Sequence, residues 1–127
     1  TLPSAPAASR PLLEATRREW GFLPNLHAVL AESPPTLEAY RDLFARVQRS
    51  SFTPVEQQVL YLAVSAYHGC SYCVAGHTYL ARAAHAAEQT IAALRAGRPI
   101  AEARLQALRA FAERVVERRG FAGDAGV

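Results

Sequence analysis

The stretch HGCSYCVAGH, residues 68–77, carries the side chains best suited to chemistry. Cys70 and Cys73 are the only cysteines in the chain, and His77 follows the second by four positions. Helical spacing, at about 100° per residue, puts Cys70, Cys73, His77 and Ala81 on one face, with Tyr72 and Tyr79 opposite. Residues three apart on a helix have Cα atoms about 5 Å apart, within the range a disulfide spans. Cys70 falls at or just before a helix start, where free N–H groups and the positive dipole end favour a thiolate. His77, one turn past Cys73, is placed to act as a base or charge partner. A thiolate attacks a peroxide oxygen or a disulfide sulfur, and a second cysteine then closes an intrahelical disulfide.

Other uses of the same residues are weaker. A structural zinc site wants four ligands, so Cys70, Cys73 and His77 need His68, His85 or His27 as a fourth. No second C-x-x-C and no H-x-x-x-H supplies one. Haem attachment requires histidine directly after the second cysteine, and Val74 stands there. A thioredoxin-like C-x-x-C follows a strand, whereas the residues before this one have helical spacing. A pair of buried cysteines without a role is the remaining alternative. The pattern favours a dithiol redox site, with no metal and no bound cofactor expected.

The elements that must position this face read as helices throughout, and the expected fold class is all-α. RPLLEATRREWG is a first helix stopped by Gly21. A short helix runs from about Asn25, read as its N-cap, to Ala31. Pro34 and Pro35 open a longer one, on which Leu37, Tyr40, Phe44 and Val47 recur at three and four. Thr53, Pro54 and Glu56 form a T-P-x-E start with capping-box spacing. On that helix Val55, Val59, Leu62, Ala63 and Ala66 make an apolar stripe ended by Gly69. The cysteine helix follows almost at once. A shorter helix ends at Gly97 and Pro99, and a last one, about 101–119, carries Leu105, Leu108, Ala112 and Val115 on one seam. Residues 1–9, rich in Pro, Ala and Ser, are expected to be a flexible arm, and 10–127 a single helical domain.

Composition narrows the function. The chain has 127 residues and a net charge of +3, enough for one domain with a modest core. There is no lysine, which removes Schiff-base and P-loop chemistry. The arginines alternate with glutamate, as in RVVERRG, and lack the basic stripe with interleaved aromatics of a nucleic-acid binder. No apolar run reaches the roughly 20 residues of a membrane span, and TLPSAPAASRP lacks the apolar core of a signal peptide. Two cysteines without further partners point to an intracellular, cytoplasmic protein that uses its thiols. Short Ala-rich helices give a thin core, so association with copies of itself is expected.

The run FTPVEQQVLYLAVSAYHGCSYCVAGHTYLAR resembles the alkyl hydroperoxidase D-like branch of the carboxymuconolactone decarboxylase superfamily. The resemblance rests on C-x-x-C-x-x-x-H at a helix start, preceded by an apolar helix ending in glycine. Upstream, GFLPNLHAVLAESPPTLEAYRDL resembles the peroxidase-related subgroup, and the likeness covers about residues 20–120. It implies an all-helical homotrimer or homohexamer that reduces hydroperoxides. Its electrons would come from an external dithiol such as dihydrolipoamide, on a lipoylated or thiol carrier protein. It also implies that Cys73 attacks the peroxide, Cys70 resolves the product and His77 helps deprotonate Cys73. Family members usually carry a glutamate twelve residues before the first cysteine as part of a proton relay. Here that residue is Gln58, and an amide cannot take up and release a proton. His68 and Tyr72 are further relay candidates, while Glu56 is accounted for by the capping box. Relatives also commonly continue with further helix where this chain ends in GFAGDAGV. Lactone decarboxylation, the other activity of the superfamily, belongs to members that generally lack the cysteine pair.

Overall fold

The computed structural model describes residues 4–123, so the first three residues of the expected arm and the last four of the tail lie outside it. Among the described residues there are seven α-helices and no strand. The chain divides into two compact units, Thr1–Arg49 and Ser50–Val127.

The first unit holds α1 (Arg10–Trp20), α2 (Asn25–Leu30) and α3 (Pro34–Gln48). Within the stretch read as an arm, Ala7–Ser9 forms a 3₁₀ turn. Ser9 is fully buried, and its hydroxyl donates to the Ala31 carbonyl at 2.6 Å. Gly21 ends α1 with φ 77°, a left-handed geometry that glycine adopts at little cost. The expected cap at Asn25 is displaced by one residue: Pro24 is the N-cap, and Asn25 is the first helical residue. Proline's fixed φ suits an extended cap, and its missing N–H leaves nothing unsatisfied there. Leu13, Ala31 and Leu37 make the small core of this unit with Ala5.

The second unit is organised around α4 (Pro54–Tyr67), against which α5 (Ser71–Ala83), α6 (Glu88–Arg95) and α7 (Ala103–Glu117) pack. Its core joins Val59, Leu62 and Ala63 of α4 to Ala81 of α5, Ile91 and Leu94 of α6, Ile100, and Ala112 of α7. Leu62 is fully buried, and truncating such a leucine to alanine costs about 2–5 kcal/mol. Because three helices surround α4, polar residues on its first two turns are buried as well: Glu56, Gln57 and Gln58. Arg109 of α7 is also buried. It donates to the carbonyls of Gly97 and Arg98 after α6 and to Glu113, so its charge and its donors are satisfied.

Candidate active site

The turn between α4 and α5 fixes the cysteines. Gly69, at φ 63°, donates its N–H to the Ala66 carbonyl at 3.0 Å, and Cys70 donates to that of Ser65 at 3.0 Å. These two bonds form a Schellman motif, which satisfies the last carbonyls of α4 and turns the chain sharply. Cys70 is therefore the closing residue of one helix end and the N-cap of the next. Its sulfur accepts the Cys73 backbone N–H at 3.2 Å. A sulfur at that cap sits at the positive end of α5, where negative charge on it is stabilised.

Cys70 and Cys73 are joined in a disulfide, with Cα atoms 5.3 Å apart. Both residues are half-buried, so the pair is walled in but not sealed from small reagents. Tyr72, between them on the outer side of α5, is 51% exposed.

His77 lies one turn beyond Cys73 on α5, half-buried. Its Nδ1 is 3.0 Å from Oε1 of Gln58 on α4. Its ring stacks on that of Tyr61, with centroids 4.5 Å apart and planes only 7° from parallel. With the amide oxygen as acceptor, Nδ1 carries the proton and Nε2 keeps its lone pair. Burial pushes the imidazole below its ordinary pKa of 6.5. At neutral pH the side chain is thus an uncharged base, held in one orientation by an amide and a phenol ring.

Among the relay candidates, Gln58 is the one brought to His77. His68 is exposed at the C-cap of α4, its ring edge-on to Tyr67 at 5.3 Å. Glu56 closes the capping box, accepting from the Thr53 N–H at 2.8 Å, and also pairs with Arg104 at 2.6 Å. The backbone N–H of Thr53 and the Arg104 guanidinium hold its carboxyl below the usual range, against an opposing effect of burial. Tyr61 is the site residue that reading the sequence did not single out. The signal was its position three after Gln58, which places both side chains on one face of α4. Among the described residues no cluster of three or more His, Cys, Asp or Glu is arranged to hold a metal ion. No described helix is long and apolar enough to cross a membrane.

A family model described as the carboxymuconolactone decarboxylase family matches residues 34–114, well over half of the chain. The chain belongs to this family. The carboxymuconolactone decarboxylase segment runs from the start of α3 into α7 and contains Gln58, Tyr61, Cys70, Cys73 and His77. No curated protein matches the chain. The match gives the carboxymuconolactone decarboxylase family, and the assignment of chemistry rests on the site.

Proposed function

We propose that this protein is a thiol-dependent peroxidase or disulfide oxidoreductase that cycles Cys70 and Cys73 between dithiol and disulfide. The observation that carries the reading is the disulfide at the N-terminus of α5, with an uncharged, oriented histidine one turn beyond its second cysteine. In the forward half-reaction His77 takes the Cys73 proton. The thiolate attacks the outer oxygen of an organic hydroperoxide, the O–O bond breaks, and an alcohol leaves with the proton. Cys73 is then a sulfenic acid. Cys70 attacks that sulfur, forming the disulfide and releasing water. An external dithiol of the dihydrolipoamide type, free or on a carrier protein, restores both thiols and is itself oxidised to a disulfide. Cys70 is the better leaving thiolate in that exchange because its sulfur accepts an N–H at the helix start.

The reading carries further parts: a homotrimer or homohexamer, a cytoplasmic setting that keeps thiols reducible, and no nucleic-acid or membrane partner. Tyr72 and Tyr79 on the outer face of α5 and Tyr67 at the end of α4, between 47% and 64% exposed, provide apolar surface for self-association. Cumene hydroperoxide turnover with dihydrolipoamide, in the wild type and in Cys73→Ser, tests the reading. Loss of turnover in the variant supports it, and equal rates contradict it.

Gln58 favours one second reading. Without an acid behind His77, the pair would serve as a redox sensor or structural couple in a helical oligomer. A reversible dithiol couple that turns over no peroxide is the outcome that selects this reading over the first.

A further inference from the structure

The first unit contains a cavity of about 310 Å³, at the small end of the range for small-molecule sites of roughly 300–1,000 Å³. Four rings surround it, each near the next. Trp20 lies 5.7 Å from His27, His27 5.4 Å from Tyr40, Tyr40 6.3 Å from Phe44, and Phe44 6.0 Å from Trp20. Arg41 and Glu19 also line it and pair with each other at 3.0 Å. The positive charge is therefore already balanced.

His27 is 4% exposed and plays no part in the thiol chemistry. Its hydrogen bonding fixes its tautomer. The Thr16 hydroxyl has one proton, which it gives to the Leu12 carbonyl at 3.1 Å. The same oxygen receives an N–H from Arg41 and lies 3.0 Å from His27 Nδ1. With its only proton spent, Thr16 accepts from Nδ1–H, which leaves Nε2 as an acceptor. Among the described residues nothing donates to that nitrogen. Burial, then the nearby Arg41, disfavours a charge on the ring, with Glu19 opposing. The cavity thus combines aromatic walls, a balanced ion pair and one ring-nitrogen acceptor, Nε2 of the lining residue His27. Glu19, Trp20 and His27 precede residue 34, where the family match begins.

We propose that this cavity binds a small, neutral, planar aromatic molecule that donates an O–H or N–H to His27 Nε2, of the phenol or indole class. The walls stack on its ring. A charged ligand is disfavoured because it would unbalance the Arg41–Glu19 pair beside a neutral buried imidazole. A non-aromatic alcohol makes the hydrogen bond but gains no stacking.

Trp20 is the only tryptophan in the chain, so its fluorescence reports the cavity directly. The test is titration of the full chain with phenol and indole, with benzoate and cyclohexanol as controls. The expected result is a saturable change with phenol or indole, and binding at least about tenfold weaker for both controls. His27→Phe keeps a ring and removes the acceptor, and is expected to weaken phenol binding about tenfold, the scale of one lost hydrogen bond. Should that variant not fold, Ala45→Leu, at an exposed position lining the cavity, is expected to abolish the signal by filling it. No saturable change with either ligand overturns the proposal. So do equal binding of the controls, or unchanged phenol binding in a folded His27→Phe or in Ala45→Leu. None of these readouts involves the cysteines, so the outcome is independent of the thiol chemistry.

Discussion

Gln58 on α4 and His77 on α5 meet through Oε1 and Nδ1 at 3.0 Å. The amide does one half of what a carboxylate would do there. It accepts the Nδ1 proton and so fixes the tautomer and the plane of the ring, with Tyr61 stacked against the face. It does not stabilise an imidazolium, because it carries no charge and takes up no proton.

Replacing that amide by an acid should therefore strengthen the base. Gln58→Glu places a carboxylate beside the imidazole, which raises the His77 pKa and completes a proton relay. Peroxide turnover is expected to rise at least about tenfold, the lower side of what positioned acid–base groups contribute. Gln58→Leu is expected to lower it, since Nδ1 then loses its acceptor. Steady-state rates against pH check both, and unchanged rates in both variants would remove the pair from the mechanism.

Stability should fall on mild acidification. His77 and His27 both have folded-state pKa values below the ordinary 6.5. The unfolded chain then binds more protons than the folded one below pH 6.5, so stability is fully present above that pH and is lost as pH drops beneath it. Thermal or urea unfolding between pH 8 and pH 5 should show the decline, and His77→Phe should show less of it. A flat profile over that window would contradict the burial of the two rings.

Glu56 should matter to folding and not to turnover. Its carboxylate is committed to the Thr53 N–H and to Arg104. Glu56→Gln is expected to lower the melting temperature while leaving peroxide turnover per folded molecule unchanged. Thr53→Ala removes the other half of the capping box and should cost about 1 kcal/mol. A loss of turnover in folded Glu56→Gln would instead make Glu56 the missing relay acid.

His85 ends α5 at φ 61°, a left-handed conformation that glycine adopts more readily. His85 and Ala86 donate to the carbonyls of Arg82 and Ala81, the Schellman pattern again. His85→Gly is expected to stabilise the chain by up to about 1 kcal/mol, read from chemical denaturation. Destabilisation would mean that the imidazole makes contacts outweighing the strain.

Most of the fold was legible because its signals are local. The capping box at Thr53, the glycine stops at Gly21, Gly69 and Gly97, and the seam Leu105–Leu108–Ala112 each depend on a few adjacent residues. The face shared by Cys70, Cys73 and His77 follows from spacing on one helix. What escaped depends on how helices approach one another. The sequence shows Gln58 where relatives carry an acid, but its contact with His77 needs α4 packed against α5. Tyr61 was missed for the same reason. Nothing local in the sequence marks Arg109, yet it is buried, with its guanidinium donating to the Gly97 and Arg98 carbonyls that follow α6. The shift of the α2 cap from Asn25 to Pro24 is a smaller case, in which proline's fixed φ outweighed asparagine's side-chain preference.

The central claim is that Cys73 is the thiolate that breaks the peroxide bond. The most direct measurement uses Cys70→Ser, reduced and then exposed to a stoichiometric amount of cumene hydroperoxide, with the product thiol state mapped by mass spectrometry. The account predicts a sulfenic acid trapped on Cys73, formed with matching release of the alcohol. It also predicts little oxidation of Cys70 in the reciprocal Cys73→Ser variant. An unoxidised Cys73 in Cys70→Ser, or equal oxidation of the remaining cysteine in both variants, would contradict it.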